Sequence, residues 1–502
     1  MGTGDWTRRQ AVARVGGVVA VGLAARGRHG VARPAGQVSG NAGPVRPQVS
    51  GLQHFHSRPD LAPPAIVVTA SAHLPATPPY VFLTAPASGQ GTGGAMILDN
   101  HGDLVWFSPD AGQRAKFNLS PQVYRGKPVL TWWEGLVTQG HGEGVIVIAD
   151  TSYRRLHTIA AKRGLAADVH EFVITRQGTA LITAYRKAAA DLSGLGGPAS
   201  GVVLSGVVQE IDISTGKLLF EWDSLDHVGV AESYQEFSGG TTANPFDYFH
   251  INSINVAPDG DLLISARNTW AIYRLARPGG SVRWRLGGRY SSFAMEPGAG
   301  FFWQHHARLH GGGLLSLFDD GAAPQEEQYS RGLILDVDTS GMRASVRRQY
   351  IHPRRRLLAS AMGSTQVLAD GRVLVGWGTE PYFSEFSADG TLLLDGQIAT
   401  GSPSYRAFRA GWSGHPGGHP AAAARRRGLA ATVYASWNGA TEVRAWKVLA
   451  GRTPSSLSHV GSARRAGFET AVTTHHAGPY FAAEALNARG HVLGRSRTVR
   501  LK

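Results

Sequence analysis

The chain has 502 residues, of which 42% are apolar, 17% are charged and 65 are glycine. That length exceeds one ordinary domain, and the apolar content is too high for a disordered body. Cysteine is absent, which excludes disulfides, thiolate metal sites and cysteine nucleophiles. The formal charge of +14 invites a nucleic-acid reading, but the basic residues are scattered apart from runs at 354–356 and 425–427. No nucleic-acid partner is therefore expected; a positive surface instead draws small anions toward a cleft.

Residues 7–12 (TRRQAV) resemble a twin-arginine export consensus, and residues 15–25 are an uncharged run of small and apolar side chains. Eleven such residues are too few to span a bilayer. Segment 1–35 is accordingly expected to be an export signal, with the protein secreted or held at the cell envelope and without a stable membrane span. A disordered basic tail is the competing reading. Residues 36–61, rich in Gly, Pro and Arg, read as a linker.

From residue 62 a repeat emerges. One unit is an apolar strand, an acidic or Gly turn, and a second strand carrying an aromatic. It occurs at 96–107 (MILDNHGDLVWF), 207–222, 271–286, 333–350 and 383–395, with a weaker copy at 145–159. A second unit, a Gly-centred turn followed by a strongly apolar strand, precedes most copies: QGTALITAY at 177, DGDLLISAR at 259, GGLLSLFDD at 312 and DGRVLVGWG at 370. YVFLTAP at 80 and PVLTWWEG at 128 fill the first two places. Two hairpins per repeat make a four-stranded blade, so an all-β, six-bladed β-propeller is expected over 62–412. A long β-sandwich array is the structural competitor. Residues 223–249 are a long insertion whose aromatics either wall a pocket or pack the loop onto the disc. Residues 413–428 read as a linker, and alternation over 429–502 predicts an immunoglobulin- or fibronectin-III-like β-sandwich.

His170, His250 and His305 stand eight, ten and seven residues before Gly178, Gly260 and Gly312, the turns of three consecutive repeats. In a propeller the strand entering that turn is innermost and its start faces the central channel. Three imidazoles should therefore meet at one opening, with Arg267 returning to the same rim. A lone inward histidine is more often a hydrogen-bonded filler, but crowded imidazoles and a guanidinium need a compensating anion. Two chemistries fit such a cluster. Neutral imidazoles could bind iron or zinc, against which stand the cation of Arg267 and the lack of any evident inner carboxylate. Alternatively, one imidazole is a nucleophile toward an activated ester while Arg and further His donors stabilise its oxygens. The second reading uses every member, so no metal and no cofactor are expected.

In order and spacing, DVHEF (168–172), DYFHINSI (247–254), LLISARNTWAIYRL (262–275), QHHARL (304–309), LFDDG (317–321) and GWGTEPYFSEFSADG (376–390) resemble the arylsulfotransferase family. The resemblance covers residues 58–400. It implies a six-bladed propeller that moves a sulfuryl group from an aryl sulfate to a phenol without 3′-phosphoadenosine phosphosulfate, through a sulfohistidine in a ping-pong cycle. Carried over residue by residue, it makes His305 the sulfohistidine and His250 the general acid and then base, with Arg267 and His170 on the sulfuryl oxygens. Asn252, Tyr248 and Phe249 would contact substrate. Position 306 is His where the family pattern has Asp, which leaves His305 or His306 as the inward residue; spacing to Gln304 and Arg308 favours His305. A non-catalytic extracytoplasmic propeller binding anionic or aryl ligands is the alternative.

Overall fold

The computed structural model describes residues 51–87, 92–475 and 478–502. The expected export signal and residues 36–50 of the expected linker lie outside them. Among the described residues the chain is all-β, with only short 3-10 turns besides strands, and no helix is long and apolar enough to cross a membrane.

Among the described residues, six sheets of four or five strands occupy residues 66–410, antiparallel except where Ala294–Met295 pairs parallel with Arg343–Tyr350. Counting the sheet that holds Tyr80–Ala85 as the first, the innermost strands of the second to sixth sheets are Ala115–Tyr124, Phe172–Ile174, Ile251–Val256, His305–Leu309 and Ser364–Val367, and that of the first is Ala407–Ala410. Each innermost strand touches the next in this order, and Tyr80–Ala85, the sheet partner of Ala407–Ala410, touches Ala115–Tyr124. Strand character follows from burial. Leu262–Ala266 (LLISA) is buried along its whole length, whereas the outer strand Val282–Gly287 (VRWRLG) alternates, with Arg283 exposed and Leu286 buried. A strand sandwiched between two sheets reads as continuously apolar; one at the rim alternates.

The apolar core is divided. One cluster joins Leu181 and Val208 of the third sheet to Ile254 and Ile264 of the fourth. The next joins Leu263 and Ile272 to Leu315 and Leu333 of the fifth, and Leu374 and Leu394 of the sixth sheet meet Leu83 and Met96 of the first. Hydrophobic burial is thus satisfied between sheets, which frees the innermost strand entries for polar residues.

The seam between the first and last sheets is tied twice. Ala407–Ala410 pairs with Tyr80–Leu83, and Ile66–Ala70 pairs with Leu394–Ile398. Across this seam Glu385, fully buried, receives both Arg372 and Arg409.

Residues beyond 420 form two further antiparallel sheets with apolar clusters between them, including Val433, Val448 and Phe481. The expected linker 413–428 needs correction: Ala421–Arg427 is a strand paired with Ala430–Ser436 around Gly428. Its small alanines lie against the sheet, and Ala424 is buried, so a composition that reads as loose belongs to the fold. Residues 51–61 are also engaged, since the Ser57 amide and hydroxyl both donate to Glu469.

Breaking the seam triad should be expensive. Glu385→Ala leaves the buried Arg409 guanidinium without its anion and Arg372 with only the half-exposed Asp370, and is expected to lower unfolding free energy by about 3–5 kcal/mol. Arg347→Ala, at an exposed pair with Asp336, should change it by less than about 1 kcal/mol. Urea denaturation of both variants checks the contrast, and equal losses would contradict a triad at the seam.

Candidate functional site

His170 precedes Phe172–Ile174, His250 precedes Ile251–Val256, and His305 opens His305–Leu309. Because these strands neighbour one another, their entries lie on one rim. Arg267 follows Leu262–Ala266, and its amide donates to the His250 carbonyl at 2.9 Å, which closes the hairpin and returns the guanidinium to that rim. The entries are not regular strand. Register shifts fall between Ile251 and Ser253 and between His305 and Arg308, while His250, Trp303 and His306 have φ of 54°, 60° and 56°. Left-handed backbone at a residue with a Cβ costs about 1–2 kcal/mol, and bulges of this kind re-aim side chains.

His141, His170, His250, Arg267 and His305 border one cavity of about 1350 Å³, together with Tyr185 and Tyr405. His306 does not border it. Its ring lies against Phe408 and its Nδ1 accepts the Thr365 amide at 3.3 Å, so of the adjacent pair it is His305 that faces the opening.

A carboxylate stands behind each rim histidine. His170 Nδ1 lies 2.6 Å from Asp168, His305 Nδ1 lies 2.7 Å from Asp320, and His250 Nδ1 is bonded to Asp247. The Trp303 carbonyl also lies 3.1 Å from His305 Nδ1. A carbonyl can only accept, so Nδ1 carries the proton and Nε2 keeps its lone pair. Met362 donates its amide to that Nε2 at 3.3 Å. Burial, reinforced by the Arg267 guanidinium, holds His305 well below the ordinary imidazole value, so the ring is neutral. Burial likewise pushes His250 down to about 4 against the pull of Asp247. Asp168 goes the other way: burial opposes it, but His170 and the Gly142 amide bring it to about 2. These carboxylates correct the expectation that the cluster lacks inner acids and depends on a bound anion for compensation.

Arg267 lies over the Trp303 ring at 4.6 Å and donates to Asn268 Oδ1 and the Ser360 carbonyl, each at 3.0 Å. Beneath the rim, Glu171 is held by Arg406 at 2.9 Å and Arg308 at 2.6 Å. Two guanidinium groups on one carboxylate leave this buried triad net positive.

Three expected substrate contacts are not in the wall. Tyr248 and Phe249 are fully buried between the third and fourth sheets, with the Tyr248 hydroxyl bonded to Ser224 Oγ at 2.8 Å. Asn252 is also fully buried and donates to the Gln304 carbonyl at 2.7 Å. The insertion instead presents Phe246 and Asp247 to the cavity, while Tyr234 stacks on Trp270. Both of its suggested roles are therefore realised, by different residues.

A family model described as Arylsulfotransferase (ASST) matches residues 120–399, more than half of the chain. The chain belongs to the arylsulfotransferase family. No curated protein matches it. Among solved structures it is similar to a Bacteroides caccae protein of unknown function, at 12% identity over 66% of this chain and 98% of that one, TM-score 0.41. It is also similar to a catalytically inactive virginiamycin B lyase from Staphylococcus aureus with quinupristin, at 10% identity over 74% and 97%, TM-score 0.35. A Lactobacillus plantarum protein matches at 15% identity over 76% and 95%, TM-score 0.37. Likenesses this distant say nothing of chemistry.

In this arylsulfotransferase-family chain, the sequence motifs point to four of the cavity's polar residues and miss His141, Tyr185, Asp247 and Tyr405, together with Asp168 and Asp320, which stand behind the wall. Both Asp168 and Asp247 stand inside the quoted motifs two and three residues before their histidines, and Asp320 sits in LFDDG. His141 lies in a Gly-rich hairpin turn, QGHGEG, without any periodic signal.

Burial of neutral histidines has a pH signature. His306, like His305, sits well below its ordinary value through burial first and the Arg308 and Arg406 charges second. An unfolded chain takes up these protons below about pH 6.5, and the folded chain does not. Stability from this source is full above that value and declines as pH falls. The urea midpoint should therefore drop between pH 7 and 5, and His306→Gln should reduce the slope; an unchanged slope would mean that His306 is charged in the fold.

Proposed function

We propose that this protein is an exported six-bladed β-propeller enzyme with a C-terminal β-sandwich, and that it moves a sulfuryl group from an aryl sulfate to a phenol through His305. The observation that carries the reading is a neutral, buried imidazole whose Nδ1 proton is held by Asp320 and Trp303, on the same cavity as Arg267, His170 and His250. Family membership supports the reaction class. The closed succession of innermost strands supports the six blades, and the apolar layer between the two terminal sheets supports the sandwich. The twin-arginine-like residues 7–12 support export.

In the first half-reaction the His305 Nε2 lone pair forms the N–S bond as the S–O bond to the aryl oxygen breaks. Positive charge developing on the ring lies against Asp320, and Arg267 with His170 takes the charge on the sulfuryl oxygens. The leaving oxygen takes the S–O electron pair and a proton from His250. That ring is a free base in the substrate-free site, and the entering sulfate anion compensates the charge it must carry to act as an acid. Without a proton the phenolate would leave near its own pKa of about 10, which is the barrier that His250 lowers. In the second half-reaction an acceptor phenol returns a proton to His250 while its oxygen attacks sulfur, and the N–S pair returns to His305. A cavity of about 1350 Å³ exceeds the usual range for one small ligand, which favours aryl groups larger than a single ring.

Incubation with 4-nitrophenyl sulfate alone should add about 80 Da, one SO₃, to the intact chain, and phenol should remove it. His305→Ala should show no adduct and lose at least about 1000-fold in transfer rate, the scale of removing a covalent nucleophile. Normal turnover by that variant would end the assignment. Absence of any adduct in the wild-type chain, with donor bound, would favour a binding protein instead.

A further inference from the structure

One group of cavity residues exceeds what sulfuryl transfer requires. His141, at the start of His141–Ala149 in the second sheet, and Asp247 with His250, at the entry to the fourth, each place a ligand-type atom within 4.8 Å of the others. Two imidazoles converge on a single carboxylate oxygen: Asp247 Oδ2 meets His250 Nδ1 and lies 3.2 Å from His141 Nε2. One proton-mediated pair would suffice to orient His250. The second imidazole meets that oxygen as an ion-pair contact outside good hydrogen-bond geometry, which leaves the buried His141 Nε2 poorly satisfied, and Asp247 Oδ1 beside it has no hydrogen-bond partner. Buried polar atoms in native folds nearly always have partners, and a bound ion is one of the few explanations for two such atoms side by side.

We infer that His141, Asp247 and His250 bind one divalent transition-metal ion of the zinc class in the wall of the cavity. Two imidazole nitrogens and one carboxylate, with the remaining side open to a cavity, are a donor set such ions favour. The sequence-based objections to a metal lapse here. An inner carboxylate exists, and Arg267 is turned onto Trp303, Asn268 and Ser360. The ligands come from two sheets, and His250 holds its place through left-handed backbone, so the donor set is assembled before any ion arrives. An ion bound here occupies the Asp247 side of His250 and withdraws it from proton transfer. That consequence, inhibition of transfer by the ion, rests on the function proposed above; the binding itself does not.

The test uses the full chain, stripped with a chelator and titrated with Zn²⁺ by calorimetry. One ion per chain is expected, with a rise in thermal midpoint on binding. His141→Gln and Asp247→Asn should each weaken Zn²⁺ at least about 100-fold and lose the midpoint rise, whereas His73→Gln, at an exposed position, should match wild type. Each variant's chelator-treated midpoint and circular dichroism establish that it is folded before its binding is read. No stoichiometric Zn²⁺ in wild type, or undiminished binding by folded His141→Gln, overturns the site. Turnover of 4-nitrophenyl sulfate is then followed with and without Zn²⁺: inhibition that disappears in His141→Gln supports the regulatory role, and unaffected turnover at full occupancy overturns it. If Zn²⁺ binds as expected while no transfer occurs under any condition, the transferase reading fails and the metal site stands.

Discussion

A buried carboxylate behind each rim imidazole is the constraint on which the cavity depends. Several imidazoles and a guanidinium crowded together would be too repulsive to stay ordered if each carried its own charge. Asp168, Asp247 and Asp320 remove that difficulty in two ways. Each lies within hydrogen-bond reach of a ring Nδ1, which settles the rotamer and tautomer; Asp168 and Asp247, held below the ordinary carboxylate range by their histidines, also supply negative charge, whereas burial raises Asp320. Burial and the Arg267 charge keep His305 a neutral base, and its Nε2 lone pair is engaged by the Met362 amide alone at 3.3 Å, a weak contact that an attack on sulfur would replace.

The division of the core makes such a site affordable. Apolar side chains are buried in wedges between neighbouring sheets, so fold stability does not rely on filling the axis with hydrocarbon. The axis is polar and internally paired, down to Arg308, Glu171 and Arg406 beneath the rim. This buried triad pulls in the same direction as Arg267, toward an anion. The seam triad of Glu385 with Arg372 and Arg409 applies the same device where the first and last sheets meet. Charge pairing thus does structural work at the seam and electrostatic work at the cavity.

Much of the architecture was legible in the repeats, because a strand–turn–strand unit leaves a period of two and a glycine at each turn, and both survive in the linear sequence. The placement of His170, His250 and His305 was legible for the same reason: similar distances to equivalent turns mean similar depth along equivalent strands, and Arg267 followed from the far end of its hairpin. The errors share a cause. Tyr248 and Phe249 adjoin Asp247 and His250 in sequence, but the left-handed residue at His250 and the bulge after it break simple alternation, so proximity along the chain did not translate into proximity at the cavity. Ala421–Arg427 read as a linker because alanine carries no strong strand signal, yet a neighbouring strand provides its hydrogen bonds.

By itself the sequence determined the all-β class and the family to which the chain belongs, since periodicity and motif order are properties of a line. Only the tertiary structure decided which of His305 and His306 faces the cavity, which carboxylate serves which histidine, and that His141 joins Asp247 and His250 from another sheet. Those are relations between side chains far apart in the chain, created when strand entries from successive sheets are brought to one rim. A residue in a glycine-rich turn carries no mark of the neighbour it will meet there.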